Sequence, residues 1–300
     1  MAFRSPNRKH DRQYFYKYVT SEVAKIALTN RTLRWSSPLR FNDPRDVPRD
    51  LFSGFGDSQL LAAVLNEEAD IIEEGRQTSE PRIQHIQATL SRNGTSELRT
   101  QSADKIRSLS TTGCFPQGSP IEEGEESWQN YLRRLRILCL SDVSNSTPMW
   151  HRYAGNCQGA LLRLECLDIY DSCWLLARKI IYQESPQQKL TNDEWVKWIT
   201  EQIVIDFHER FNRSLYVKNT SWAYEREWRV VSFAPPGDSG LFSDNSFNPR
   251  ELNAIYLGKD IREQDRADIL ALLDLGLEHV EVHQAYIEPG QNTFGYKRIK

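Results

Sequence analysis

The amino-acid sequence predicts an α+β fold: a mixed, largely antiparallel β core carrying a helical insertion. Three observations lead there. Short runs rich in β-branched and aromatic residues recur without the strict strand–helix alternation of a doubly wound parallel sheet. They lie on both sides of a stretch, Ser58 to about Leu109, made of helix formers. The chain also has 300 residues, 39% of them hydrophobic, enough for a sizeable core. The organisation expected is one α+β domain over 1–300, with residues 58–127 a helical insertion and loop within it.

In order, "YFYKYV" (Tyr14–Val19) alternates aromatic and polar residues as a strand does, and Ser21 caps a short helix reaching Asn30. A short strand follows at "TLRWS", after which Pro38, Asn42, Asp43 and Pro44 predict a turn of one defined shape. "SQLLAAVLNEEADIIEEG" is the clearest amphipathic helix, with Gly75 as its stop. "TTGCFPQGSPIEEGEES" reads as a loop and "WQNYLRRL" as a helix. Strand candidates "RILCLSD", "GALLRLE" and "RKIIYQ" come next, then one long helix from Asp193 to about Arg213. The last third adds strands at "EWRVVSF", "NAIYLG", "VEVHQA" and "YKRI", and a helix at "REQDRADILALLDLG".

Thirty-eight Lys and Arg against forty-one Asp and Glu give a net charge of −3, which creates no global field for nucleic acid. The local exception is "FRSPNRKHDR", where Arg4, Arg8, Lys9 and Arg12 crowd together; it reads as a frayed, solvated terminus, with a phosphate-touching arm as the alternative. No run approaches about 18 uninterrupted apolar residues and no leader stands at the start, so a cytoplasmic protein without a membrane span is expected. Five cysteines without a C-x-x-C pair read as core thiols rather than a disulfide framework or zinc site.

Several signals fall short. "SGFGDSQ" offers Gly54 and Gly56 but no third glycine for a dinucleotide fingerprint, so it reads as a flexible turn. His279 and His283 flank Glu281 without a third ligand nearby and read as surface histidines, and no metal site is expected. There is no G-x-S-x-G elbow for acyl transfer, and no acidic set that suits a two-metal nuclease.

Four segments place polar groups beside aromatics: "YFYKY", "RFNDP", "PMWHRYAGNCQG" and "WAYEREW". Buried polar groups need partners, so such segments tend to gather at one site. A strand running back from Phe233 through Glu225 puts Glu225, Glu227 and Arg229 on one face. The two carboxylates then require a cation, Arg229 or Lys17, and the result is either an ion-pair ladder on a sheet or part of a site. Gly155 and Gly159 let the backbone approach something closely. Trp150 and Tyr153 offer ring faces to a planar base or nicotinamide, or pack on each other.

In this order "YKY", "FNDP", "LSD", "MWHRYAGNCQG", "WAYEREWR" and "IYLG" resemble the bacterial family called domain of unknown function 2971, over Tyr16 to about Lys297. More loosely, an early polar aromatic strand, a mid-chain aromatic and a late E-x-E look like the motif order of ADP-ribosyltransferases, and this implies a β core of that type. That likeness implies NAD as substrate, Glu227 as the catalytic carboxylate and Glu225 orienting the acceptor. Tyr16 or Tyr18 takes the first-motif place and Tyr153 lines the nicotinamide pocket, with Lys17, Asn42, Asp43, Trp150 and Arg229 joining the cofactor-binding set. The first motif lacks the usual histidine or arginine, and no serine–threonine–serine triplet precedes the glutamates.

The function expected is therefore an NAD-dependent ADP-ribosyltransferase acting on an intracellular target, as a toxin or phage-defence effector. Its acceptor is a protein, nucleic acid or small molecule, and a partner protein that regulates it is also expected. A non-catalytic nucleotide- or nucleic-acid-sensing module is the alternative, and a nuclease the third.

Overall fold

A computed structural model describes residues 3–50, 56–93, 95–109, 120–184, 191–202, 207–288, 290 and 293–300. In chain order the elements begin with β1 (Tyr14–Val19), α1 (Ser21–Asn30), β2 (Thr32–Ser36), α2 (Asp57–Glu74), α3 (Pro81–Asn93), α4 (Ser96–Leu109) and α5 (Pro120–Arg134). Next come β3 (Leu135–Ser141), α6 (Thr147–Tyr153), β4 (Ala160–Glu165), β5 (Arg178–Lys179), β6 (Ile181–Gln183), α7 (Asn192–Ile199), α8 (Phe207–Ser214) and β7 (Val217–Asn219). The chain ends with β8 (Glu227–Phe233), β9 (Phe242–Ser246), β10 (Leu252–Leu257), α9 (Glu263–Leu273), β11 (Glu281–Ile287) and β12 (Phe294–Arg298). This is a mixed α+β fold with a largely antiparallel sheet.

Contacts divide the chain into two units: residues Met1–Asp46, Leu132–Pro186 and Tyr216–Lys300 form the first, and Val47–Tyr131 with Gln187–Leu215 the second. The helical stretch expected at 58–127 falls in the second unit, which also takes in residues 187–215. There α2 ends at Gly75, whose φ of 68° suits a residue without a Cβ. Gly56 serves as its N-cap, while the neighbouring Gly54 lies outside the described residues. The loop expected at 111–127 is in part a helix, because α5 starts at Pro120, whose missing N–H costs nothing in a first turn. The single helix expected from Asp193 to about Arg213 stops at Ile199. Thr200 turns its hydroxyl back to the Val196 carbonyl at 2.8 Å, and Glu201 takes a left-handed φ of 54°.

The first unit holds a ten-stranded sheet, with the order β12-β11-β10-β4-β1-β3-β2-β9 and with β8 added on β3 and β5 on β8. Only the β10–β11 pair within it is parallel; β6 and β7 form a separate parallel pair. Neighbours along β1, β4 and β10 alternate between two apolar clusters, so the sheet separates two cores. Phe15, Leu162, Leu164, Ile255 and Leu257 join α1 and α9 on one side. Tyr18, Leu161, Ala254 and Tyr256 join Met149 and Trp150 of α6 on the other. Each large apolar side chain buried in this way contributes about 1.5–3 kcal/mol.

One irregularity shapes the unit. Strand β8 pairs with β3 along its full length, from Leu135↔Phe233 to Ser141↔Glu227, and so occupies one edge. The other edge is shared: β1 meets it at Ser141 and β2 meets it at Ile137. The sheet forks there, and the strand pairing on that edge skips Leu138–Leu140.

The N-terminal segment is not frayed. Arg8 grips the Asp168 carboxylate with two nitrogens at 2.8 and 2.7 Å, and Lys9 N–H donates to the Leu175 carbonyl at 2.8 Å. His10 sits edge-on to Phe15 and near Trp228, with its Nε2 2.8 Å from the Trp174 carbonyl. Arg4, Arg8 and Arg12 each pair with a carboxylate, which removes most of the charge a phosphate-binding arm would need.

Candidate functional site

A cleft of about 210 Å³ opens in the first unit, at the fork of the sheet. Strand β1 contributes Tyr16, Lys17 and Tyr18, and the turn after β2 contributes Asn42 and Asp43. Tyr153 enters from the end of α6, and Glu225 and Glu227 from the segment before and at the start of β8. Eight of the ten residues singled out from the sequence thus share one cleft. The other two do not line it. Trp150 is fully buried, donating to the Ser144 carbonyl and the Tyr296 hydroxyl at 3.1 Å each, so its ring is a core element and offers no face to a ligand. Arg229 is also fully buried, and it donates to Glu227 rather than facing the cleft.

Glu225 does not extend the strand. It ends a 3-10 turn, Thr220–Glu225, whose start is capped by the Asn219 side chain accepting from Ser221 N–H at 2.9 Å. Arg226, left-handed at φ 46°, then swings the chain into β8. A turn, rather than the two-residue strand period, therefore brings the two carboxylates together.

Their partner is Lys218 on β7. Its Nζ donates to Glu225 Oε2 at 2.6 Å and Glu227 Oε2 at 2.9 Å, and lies 3.3 Å from Asp46 Oδ2. Arg229 donates to Glu227 Oε1 at 2.7 Å and to both Asp46 oxygens at 2.7 Å. Two cations therefore face three carboxylates, all with side chains at most 6% exposed. Lys17, the other cation the sequence offered, donates instead to the Cys139 carbonyl at 2.8 Å.

The two glutamates differ electrically. Burial pushes the Glu227 carboxyl up, but Arg229 and Lys218 outweigh it and hold the group well below its ordinary value, firmly ionised. Glu225 moves the other way: burial exceeds the pull of Lys218, and the charge on Glu227 adds to the rise. The Tyr153 hydroxyl donates to Glu225 Oε1 at 2.5 Å. Burial, reinforced by that carboxylate, raises the Tyr153 phenol and keeps it a donor.

The segment "LSD" clamps the turn between the glutamates. Ser141 Oγ donates to the Glu225 carbonyl at 2.7 Å, and Asp142 N–H to the Arg226 carbonyl at 3.3 Å. The buried Asp142 carboxylate pairs with Arg226 at 2.7 Å and Arg12 at 2.8 Å and accepts from the Trp228 indole at 3.2 Å. Asp43 accepts from the Trp222 indole at 2.8 Å and from Arg45 N–H at 2.9 Å. Burial opposes ionisation of Asp43, and these donors, Arg45 N–H first, more than offset it.

Sequence reasoning missed Lys218, Asp46, Arg34, Arg40 and Cys139, all of which line the cleft. A lone lysine inside the apolar run "LYVKN" was the available signal for Lys218. The glycines have a different role from the one expected. A Cβ on Gly159 would lie 2.1 Å from the Val19 carbonyl oxygen, so what approaches this backbone is the chain itself. His283 stacks on Tyr256 and lies 3.2 Å from Glu281, while exposed His279 meets the Pro249 carbonyl. Among the described residues no group of three or more His, Cys, Asp or Glu is placed to hold a metal ion. Cys139, Cys157, Cys166 and Cys173 are free thiols, and Cys114 lies outside the described residues.

Fold and site together define an α+β protein with a charged, aromatic-walled cleft at a sheet fork. Residues 149–230 match the family described as Protein of unknown function (DUF2971), which supports that family. The matched span carries "MWHRYAGNCQG" and "WAYEREWR", the two segments that supply Tyr153, Glu225 and Glu227. No curated protein and no solved structure matches the chain.

Proposed function

We propose that the cleft binds NAD and transfers its ADP-ribosyl group to an acceptor inside the cell. The observation that carries this reading is the pair Glu225 and Glu227, held by one buried ammonium in a cleft walled by Tyr16, Tyr153 and Trp222. Breaking the bond from nicotinamide to ribose sends the electron pair out with nicotinamide and leaves oxocarbenium-like positive charge on the ribose. Glu227, kept ionised, faces that charge at no cost in reorganisation. Glu225, with its raised affinity for a proton, takes the proton of the acceptor as the acceptor bonds to the ribose carbon. Tyr153 orients Glu225, and the aromatic walls exclude water.

The test is nicotinamide release from labelled NAD by the purified chain, with candidate acceptors supplied. Release is expected, and Glu227→Gln should slow it by roughly a hundredfold or more. Neither release nor transfer would overturn the reading. NAD bound without turnover would point to a nucleotide-sensing module instead.

A further inference from the structure

Every charged group in the cleft has a counter-charge or a set of donors, with two exceptions. Asp46, Glu225 and Glu227 are held by Lys218 and Arg229, Asp43 by Trp222 and Arg45, and Arg34 by Asp244 at 2.9 and 3.0 Å. Lys17 and Arg40 differ. The Lys17 ammonium spends one of its three donors on the Cys139 carbonyl, and no carboxylate among the described residues pairs with it. Arg40 is exposed, its guanidinium 5.4 Å from the centre of the Phe242 ring, again with no carboxylate among the described residues. These two cations stand on opposite lips of the fork, Lys17 on β1 and Arg40 just beyond β2, and both line the cleft.

We infer that Lys17 and Arg40 form an anion subsite that takes the phosphoryl groups of a nucleoside diphosphate. The inference rests on the reading of the cleft as a nucleotide site, and adds which part of the nucleotide goes where. The inner network holds three carboxylates against two cations, so an anion is repelled from it; the two uncompensated cations at the lips attract one. A diphosphate carries enough charge to answer both cations, and Ser36 and Asn42 in the same cleft offer neutral donors. The ligand then lies with phosphates at the fork and its electron-poor end against Glu227.

Adenosine diphosphate, which has the phosphates and no nicotinamide, is the probe. Calorimetric titration of the full chain should show binding that weakens as salt rises. Lys17→Met and Arg40→Gln should each weaken it about tenfold, the loss of one charge-assisted contact, while Lys105→Met, at an exposed position of α4, leaves it unchanged. Arg40→Gln carries the test should Lys17→Met unfold the chain, because Arg40 is exposed. Unchanged binding in Arg40→Gln, or no binding to the wild type, overturns the subsite. NAD turnover separates the two ideas. Turnover at an unaltered KM in Arg40→Gln overturns the subsite and leaves the transferase. Charge-dependent binding of adenosine diphosphate without nicotinamide release supports the subsite and removes the transferase.

Discussion

Glu225 and Glu227 are two residues apart and share one ammonium, yet their protons are held with opposite bias. The consequence is a pH dependence that can be taken apart by substitution. Glu227 has its folded-state pKa depressed, so its contribution is present above the unfolded value and is lost as pH falls toward the folded one. Glu225 has its folded-state pKa raised, so its contribution is present below the unfolded value and is lost as pH rises through the folded one. Urea unfolding between about pH 3 and 7 should therefore show Glu227→Gln destabilised most at neutral pH, by about 3–5 kcal/mol, as for a broken buried ion pair. Glu225→Gln should cost less at neutral pH, and its loss should not shrink on acidification as that of Glu227→Gln does. Equal profiles for both variants would refute the asymmetry. At this scale the sequence disclosed the carboxylates and aromatics, because polar residues inside apolar runs are visible as pattern. It hid Lys218 and Asp46, whose partners are 7 to 183 positions away.

Elements were legible wherever one face is buried. Strands β3, β4, β10 and β11 alternate or run apolar, and they stand where the pattern put them. Strand β9, "FSDNS", was missed because it lies at the end of the sheet and is largely solvated, so its sequence reads as a turn. "RKIIYQ" was expected as one strand but is split at Ile180, with β5 pairing β8 and β6 pairing β7. The same interplay of turn and strand governs the site, since the Glu225–Glu227 turn is clamped by Ser141 and Asp142, far from it in the sequence. Asp142→Asn keeps the shape and removes the charge that holds Arg226 and Arg12. Should the proposed activity hold, kcat is expected to fall at least tenfold with KM for NAD near its wild-type value, while Tm drops by only a few degrees. A KM effect with kcat intact would mean that Asp142 does not position the glutamates.

For the molecule as a whole, composition excluded a general nucleic-acid field, and no helix among the described residues is long and apolar enough to cross a membrane. The α+β class followed from local pattern, because class depends on which elements exist. The order of strands did not follow. Which strand pairs with which is decided by contacts far apart in the chain, as when β1 lies between β4 and β3. The cleft depends on that order: Tyr16 and Glu227 line it together because β1 and β8 pair with β3 on either side of Ser141.

The fork also bears on motion. Leu138–Leu140 sit mid-sheet, yet their strand partners lie on one edge only. In amide hydrogen exchange this buried strand should contain a site that exchanges faster than its flanks at Ile137 and Ser141. A ligand that slows this site would be completing the backbone bonding of the gap, standing in for a strand that the described residues do not supply there.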